Sequence, residues 1–217
     1  LPLTERPRSI RIHRLHLEED AGKLLHDWPG GGALGDVSLV DFNRCGVPLV
    51  EIVSEPEIRS AAEAEDYLRS LHQLLMFTGA SDGNMEEGSL RCDANISIKR
   101  SEETQLGTKV EVKNLNSFKN VARAVEHEIA RQSALLDQGQ TVAQETRGFD
   151  ADSGRTKSLR GKEAAHDYRY FPEPDLPVLH LSAARLAGLR SALPEMPWIR
   201  RARLADTLGL SPAEARD

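Results

Sequence analysis

The sequence predicts an α+β fold, a mostly antiparallel sheet with flanking helices, followed by the beginning of a helical domain. Short segments in which apolar and polar residues alternate, the pattern of half-buried strands, recur between residues 9 and 160. Two longer segments, residues 60–79 and 117–139, carry apolar residues at helical spacing. Because the strands come in runs with few helices between them, the pattern favours an antiparallel sheet over repeated βαβ units.

Composition and charge exclude several classes of protein. The 217 residues are 39% hydrophobic and 29% charged, as in an ordinary soluble chain, and no apolar run is long enough to cross a bilayer. The net charge of −6 argues against a general nucleic-acid binder but leaves room for an enzyme with a local basic patch. Cys45 and Cys92 form no CxxC motif, so we expect two reduced thiols in a cytoplasmic protein.

The first part of the chain predicts three strands and a helix. The strands are predicted at 9–17, 37–42 and 47–53, with a flexible breaker, WPGGGALG, at 28–35. The helix has Ser60 as its N-cap, Glu63 to complete a capping box and Gly79 as its C-terminal cap. The residues predicted to face the core are Ala64, Tyr67, Leu68, Leu71, Leu74 and Leu75.

Two hairpins are predicted in the second part. Residues 89–98 and 108–115 are expected to pair as antiparallel strands, with Cys92 and Ile96 buried, because both segments alternate with period two. Residues 144–149 and 155–160 form the second pair, around a turn at 150–154. A helix from about 117 to 138 separates the hairpins. Its apolar stripe is Phe118, Val121, Ala122, Val125, Ile129 and Leu136.

A proline-rich stretch at 172–177 predicts a domain boundary. We expect one domain over residues 1–180 and the start of a helical domain over 181–217, which is rich in Ala and Arg. Arg200, Arg201 and Arg203 form the net-basic cluster of the chain, and we expect them to contact nucleic-acid phosphates. A solvated helix face would carry the same charges.

The polar face of the first hairpin is the candidate for chemistry. The adjacent carboxylates of Glu86 and Glu87 precede a strand that carries Arg91 and Asp93. Mg²⁺ binds to a few carboxylates and completes its shell with water and phosphate oxygens. A cationic side chain such as Arg91 can neutralise the charge of a transferred phosphoryl group. A solvated sheet face would look similar. No Walker A or GxGxxG motif is present, so an ATP site here is neither of the P-loop nor of the Rossmann type.

A second polar cluster lies near the N-terminus. It consists of His13, His16, Glu18, Glu19 and Asp20. The spacing matches no strong zinc motif, so we favour solvated side chains or substrate contacts over a metal site.

Several long motifs, in the same order, resemble those of the B subunit of the glutamyl-/aspartyl-tRNA amidotransferase family. The motifs are HLEEDAGK at 16–23, SLVDFNRCGVPLVEIVSEPEIRS at 38–60, TGASDGNMEEGSLRCDANISI at 78–98, EVKNLNSF at 111–118, QETRGFD at 144–150 and HDYRYFPEPDLP at 166–177. Together they cover nearly the whole chain to about residue 180, and the remainder resembles the start of the family's helical domain.

The resemblance implies a fold, a reaction and partners. It implies a cradle-shaped domain similar to glutamine synthetase, which uses ATP and Mg²⁺ to phosphorylate the side-chain carboxylate of Glu-tRNA(Gln) or Asp-tRNA(Asn). Ammonia from glutamine, released by the amidase A subunit, then displaces the phosphate, and a small C subunit holds A and B together. The protein would thus be a carbon–nitrogen ligase with glutamine as amido donor, without a membrane partner.

The resemblance also assigns roles to residues of this chain. Glu86, Glu87 and Asp93 are expected at the metal, with both glutamates and Arg91 in catalysis. Arg91 and the segment after the second strand are expected to bind the nucleotide; the residues of that segment are Lys113, Asn114 and Asn116. The family's N-terminal Glu-Val-His motif and its tRNA-gripping tail are not in this sequence, so we expect a fragment that is inactive alone.

Two other functions remain open from the sequence. A glutamine-synthetase-like ligase could act on a free amino acid, although the named motifs do not fit one. A non-catalytic scaffold could bind tRNA, but carboxylates at 86–93 would oppose phosphates. Dependence of ATP consumption on misacylated tRNA separates these alternatives.

Overall fold

The computed structural model confirms the α+β class. It describes residues 1–3, 8–25, 32, 37–161, 174–175, 177–211 and 214–216, and within them four α-helices and three sheets, with four of the five strand pairings antiparallel. The chain divides into two compact units. One contains residues 9–58 with Leu1, and the other contains residues 2–8 and 59–217.

The first unit is built from two small antiparallel sheets. Strand β1 (Ile12–Glu19) pairs with β4 (Pro48–Ser54), and β2 (Lys23–Leu25) pairs with β3 (Leu39–Asp41). The three predicted strands are therefore present within a few residues of their expected bounds. Strand β2 was not predicted, because three residues are too few to show an alternation. Most of the predicted breaker at 28–35 lies outside the described residues.

Helix α1 (Ala61–Thr78) begins and ends where its caps predict. Ser60 Oγ accepts the Glu63 N–H at 3.2 Å, and Gly79 has the left-handed φ of 68° that a C-terminal cap requires. The capping box is only half formed, because the Glu63 carboxylate accepts the Arg59 N–H at 2.7 Å and binds Arg8 at 2.9 Å. The predicted core face is buried except for Leu74, which is half-buried.

The second unit contains a four-stranded sheet in the order β5–β6–β7–β8. Its strands are β5 (Ala94–Ile96), β6 (Val110–Lys113), β7 (Glu145–Asp150) and β8 (Arg155–Gly161). Both predicted hairpins are confirmed as antiparallel pairs. The first is shorter than predicted, with three residue pairs, and Cys92 is half-buried whereas Ile96 is buried. A turn occupies residues 85–88, and the pairing with β6 begins only at Ala94. Cys92 therefore lies before the paired residues.

Helix α2 (Phe118–Asp137) crosses from β6 to β7, which makes these two central strands parallel. The predicted N-cap, Ser117, is confirmed by its hydrogen bond from the Asn120 N–H at 3.1 Å. The predicted apolar stripe was partly wrong, because Ile129 is 36% exposed. The residues that α2 buries are Val121, Ala124, Val125, Glu128 and Gln132.

The buried face of α2 differs from the predicted apolar stripe because two polar residues, Glu128 and Gln132, face the sheet and bind it. The Glu128 carboxylate, 0% exposed, accepts hydrogen bonds from Arg131 at 2.8 Å, Gln132 at 3.0 Å and Thr156 Oγ1 at 2.6 Å. Arg147 Nε lies 3.3 Å from the same carboxylate. Gln132 also donates to the Ile96 carbonyl at 3.2 Å, so this network joins α2 to β5, β7 and β8. Buried charges are tolerated when they are paired in this way.

The two C-terminal helices confirm the predicted helical segment. Helix α3 (Ala183–Ala192) buries none of its residues, and α4 (Pro197–Leu208) contacts α1 through a hydrogen bond from Arg201 to Gln73 at 3.1 Å. A short 3₁₀ turn, Glu214–Arg216, follows. The domain boundary near residue 180 stays a prediction, and most of the 168–177 segment lies outside the described residues. No helix in the described ranges is long and apolar enough to span a bilayer.

We predict that Glu128→Gln destabilises the second unit by about 1.5–3 kcal/mol, because the neutral amide weakens hydrogen bonds to charged groups and leaves Glu145 as the anion that remains beside Arg131 and Arg147. Burial alone would raise the pKa of Glu128, but hydrogen bonds from Arg131, Gln132 and Thr156 outweigh it and hold the pKa below its usual value. A lowered folded-state pKa contributes stability above the unfolded-state value and loses it as pH falls through the folded-state value. The stability difference between parent and variant should therefore narrow in acid.

Denaturant titrations of both proteins from neutral pH to pH 3 measure this difference. The matched control is Glu65→Gln, which removes the exposed ion pair with Arg69 on α1. Its effect should stay below about 1 kcal/mol at every pH. A gap between parent and Glu128→Gln that is constant with pH would contradict the assigned protonation linkage.

Candidate functional site

The four-stranded sheet has two chemically different faces. In the parallel pair, Glu111 aligns with Thr146 and Lys113 aligns with Gly148. Because alternate residues of a strand point to opposite faces, these four residues share one face. We call this the polar face, and it consists of Asp93, Asn95, Glu111, Lys113, Thr146 and Gly148. The opposite face carries Val110, Val112 and Arg147 and contacts α2 through Glu128.

A chain of contacts crosses the polar face. Lys113 Nζ donates to Asp93 Oδ2 at 2.8 Å and lies 3.5 Å from Glu111 Oε1. The other Glu111 oxygen accepts the Thr146 hydroxyl at 2.8 Å. Partial burial would lower the pKa of Lys113, but Asp93 and Glu111 outweigh it and raise the pKa, so the ammonium stays charged. The sheet thus holds one cation between two carboxylates.

The paired glutamates lie in a turn that precedes the first strand of the four-stranded sheet. The Asn84 side-chain oxygen accepts the backbone N–H of Glu86 at 3.0 Å and of Glu87 at 3.1 Å. Asp82 in turn accepts the Asn84 N–H at 3.0 Å, and this bond, with one from Ser89, lowers the pKa of Asp82. Side chains at 82 and 84 shape the turn that presents both carboxylates.

The other predicted nucleotide contacts surround the end of β6. Asn114 follows β6 with a left-handed φ of 67°. A Cβ on Gly148 would lie 3.2 Å from Asn114 Nδ2, so the glycine admits the amide against β7. Asn116, between β6 and α2, is exposed, as is Arg91 before β5. The structure thus brings Lys113, Asp93 and Glu111 together, while Asn114 lies beside the neighbouring strand.

The donor set of this region is compatible with Mg²⁺. Glu86 and Glu87 are exposed and pair with no cation among the described residues, whereas Asp93 is paired with Lys113. Carboxylate oxygens are the ligands that Mg²⁺ prefers, and the ion completes its shell with water and phosphate. Within the described ranges, no three His, Cys, Asp or Glu side chains lie close enough together to hold a metal by themselves. A magnesium ion here would therefore depend on phosphate and water oxygens.

Two histidines of the first unit lie beside glutamates. His13 Nδ1 lies 3.1 Å from Glu55, and His16 Nδ1 lies 3.3 Å from Glu51. Glu18 and Glu19 are exposed, and Asp20 lies 3.7 Å from Arg44. These contacts agree with solvated, ion-paired side chains, the interpretation that the sequence favoured over zinc.

The three C-terminal arginines all have partners within the chain. Arg203 makes two hydrogen bonds of 2.8 Å with Glu195, and Arg201 binds Gln73. The Arg200 guanidinium lies 6.0 Å from the centre of the Phe77 ring. Their proposed contact with nucleic acid stays a prediction, and the structure adds a second role for two of them, which is to hold α4 against α1.

Sequence reasoning did not single out Thr146 or Glu128. Thr146 gave no signal because its alignment with Glu111 depends on a pairing across 35 residues of chain. For Glu128 a signal existed, since a charged residue falls seven positions after Val121 and three after Val125 on the helix.

Comparison with known proteins identifies the family to which this chain belongs. Residues 2–187 match the family described as the GatB/GatE catalytic domain, so the chain belongs to that family. The resemblance found from the motifs is thereby confirmed.

Three relatives are named as the B subunit of an aspartyl/glutamyl-tRNA(Asn/Gln) amidotransferase. The protein of Anaeromyxobacter sp. (strain K) is 53% identical over 213 residues, which are 98% of this chain and 43% of the relative. That of Geobacter sulfurreducens is 56% identical over 209 residues, 96% of this chain and 43% of the relative. That of Oleidesulfovibrio alaskensis is 52% identical over 215 residues, 99% and 44% respectively. The chain spans about two-fifths of the length of these relatives.

We predict that Asn84→Ala loosens the turn that presents Glu86 and Glu87, because both backbone N–H groups lose their acceptor. Amide hydrogen exchange at residues 86 and 87 should accelerate about 3- to 10-fold, the effect of losing one ordinary hydrogen bond. Asn84→Asp keeps an acceptor oxygen and should exchange like the parent. The Gly154 amide, in the β7–β8 turn, is the internal reference. Equal exchange at 86 and 87 in the parent and Asn84→Ala would disprove the role of Asn84.

Proposed function

We propose that this chain forms the ATP- and Mg²⁺-dependent part of the B subunit of a tRNA-dependent amidotransferase. It activates the side-chain carboxylate of Glu-tRNA(Gln) or Asp-tRNA(Asn) by phosphorylation, and ammonia then forms the amide. The observation that carries the proposal is a polar face, with Lys113 held between Asp93 and Glu111, in a chain that belongs to the GatB/GatE catalytic domain family. A carboxylate is a poor acceptor for ammonia, and phosphorylation gives it a leaving group.

The residues of the candidate site divide the work by charge. Glu86 or Glu87 would hold Mg²⁺ together with phosphate and water oxygens, with Asp93 as a further ligand or a neighbour of the ligands, and the ion would supply electrostatic stabilisation of the phosphate oxygens. Arg91 neutralises negative charge on the transferred group, and Lys113 binds and orients the nucleotide phosphates. The amides of Asn114 and Asn116 donate hydrogen bonds to the nucleotide. Asp93 must exchange Lys113 for the metal, and this exchange is feasible because both side chains are partly exposed.

The proposed reaction requires other chains. Ammonia comes from a separate glutaminase, the amidase A subunit. A small C subunit completes a heterotrimer, misacylated tRNA is the substrate, and the complex acts in the cytoplasm. The chain would be the catalytic part of a ligase that uses glutamine as amido donor. The names of the relatives support a tRNA-dependent enzyme of several subunits.

The proposal is tested by following ATP consumption in the complete complex. ATP should be hydrolysed with misacylated tRNA and not with free glutamate or correctly charged tRNA. Consumption with free glutamate would favour a ligase for free amino acids. Absence of ATP consumption with every acceptor would leave only a tRNA-binding scaffold.

We predict that Glu86→Gln or Glu87→Gln lowers ATP-dependent phosphorylation of the tRNA-bound carboxylate by about 100-fold or more, the effect of losing several kcal/mol of metal stabilisation. Glutamine hydrolysis by the A subunit should remain measurable in the same complex. Both rates are measured over a range of Mg²⁺ concentrations, because loss of a ligand should raise the Mg²⁺ requirement.

The control for these variants is Glu65→Gln, an exposed carboxylate on α1 that pairs with Arg69. It should keep both rates. If Glu86→Gln and Glu87→Gln both keep normal transamidation at limiting Mg²⁺, this pair of glutamates does not hold the metal.

We predict that replacing Arg200, Arg201 and Arg203 with Ala weakens tRNA binding to the full complex. The slope of log affinity against log salt concentration should fall by about one unit for each phosphate that is no longer neutralised. Because Arg203 binds Glu195, the control is Glu195→Gln, which breaks that ion pair and keeps the positive charge. The control should bind tRNA at least as well as the parent. Unchanged affinity and slope in the triple variant would exclude these arginines from the RNA interface.

A further inference from the structure

Thr146 is a buried hydroxyl on the polar face. The residue is 1% exposed, and its Oγ1 donates to Glu111 at 2.8 Å. Its position follows from the parallel pairing of β6 with β7, which aligns Thr146 with Glu111. The hydroxyl thus fixes one oxygen of a carboxylate whose other oxygen faces the Lys113 ammonium at 3.5 Å.

The two carboxylates beside Lys113 differ in how firmly they are held. The Asp93 side chain is 47% exposed, whereas that of Glu111 is 19% exposed. An exposed ion pair exchanges easily with solvent and ions, while a partly buried carboxylate with a buried hydrogen-bond donor keeps its orientation. Glu111 is therefore the fixed partner of Lys113, and Asp93 is the exchangeable one.

We propose that Thr146 and Glu111 are positioning residues that hold the Lys113 ammonium for a nucleotide phosphate. The proposal rests on the proposed function, because it gives Lys113 a phosphate to contact. When Asp93 turns to the metal, Glu111 alone keeps the ammonium in place, and Thr146 keeps Glu111 in place. Neither Thr146 nor Glu111 touches the reacting atoms. Their effect should appear as weaker nucleotide binding.

The sheet supplies a matched control for the Thr146 hydroxyl. Thr156 on β8 is also buried, at 5% exposed, and donates from Oγ1 to a glutamate, Glu128, at 2.6 Å. That bond lies on the face that contacts α2. Valine in place of either threonine has nearly the same shape and removes one hydroxyl. If valine disturbs the sheet in general, KM for ATP should change in both variants. If Thr146 acts as proposed, KM for ATP should change in Thr146→Val alone.

The experiment measures KM for ATP, kcat and the thermal unfolding temperature in the complete complex, with saturating misacylated tRNA and glutamine. Thr146→Val should raise KM for ATP about tenfold, the effect of losing a hydrogen bond to a charged group, with little change in kcat. Thr146→Ser restores the hydroxyl and should return KM to near the parent value. Thr156→Val should lower the unfolding temperature and leave KM for ATP unchanged.

A second variant tests the link between the two residues. Glu111→Gln still accepts the Thr146 hydrogen bond but loses the charge that holds Lys113, so it should raise KM for ATP to a similar extent. If both residues act through Lys113, the double variant should be no worse than the more affected single variant. If Thr146→Val does not assemble into the complex, KM for ATP is compared in Glu111→Gln and Thr146→Ser instead.

Three outcomes would overturn the inference. They are an unchanged KM in a folded Thr146→Val or Glu111→Gln complex, an equal rise in Thr156→Val, and effects of the two substitutions that multiply in the double variant. A parent complex that shows no ATP-dependent transamidation is a different result, which refutes the proposed function itself.

Discussion

A carboxylate with no access to water, that of Glu128, holds the second unit of the chain together. Two arginines, an amide and a hydroxyl converge on it, and they come from the same helix and from two strands of the sheet. Gln132 extends the network to the carbonyl of Ile96 on a third strand. Removing this anion would leave Glu145 as the acidic partner that remains beside the guanidinium groups of Arg131 and Arg147 in a poorly hydrated site.

This network determines what the other face of the sheet can do. Because α2 connects β6 to β7 and is bound to the sheet by Glu128, the two central strands run parallel with Glu111 beside Thr146. The residues that stabilise the unit and the residues proposed for chemistry thus lie on opposite faces of one sheet. One face buries the Glu128 carboxylate completely. The other keeps the charges of Lys113 and Asp93 partly exposed, where they remain available to a phosphate and a cation.

Local patterns predicted most of the secondary structure, and the errors lie where a polar side chain takes a structural role. The caps of α1 and α2, Ser60 and Ser117, were correct because a cap depends on three or four neighbouring residues. Ile129 was wrongly assigned to the core because apolar residues are expected to be buried, whereas the helix buries the neighbouring Glu128 instead. The turn at Glu86 and Glu87 was missed because Asn84 shapes it by accepting two backbone hydrogen bonds.

The sequence by itself determined the family, the α+β class, the two hairpins and the identity of the residues proposed for chemistry. Long motifs in a fixed order and a period of two or 3.6 residues are properties of the chain that need no coordinates. Only the tertiary structure decided that β6 and β7 are parallel, that Thr146 meets Glu111 and that the C-terminal arginines contact Gln73, Phe77 and Glu195. Most of these contacts join residues far apart in sequence, so they depend on how the helices and strands pack together, which no local pattern of residues specifies.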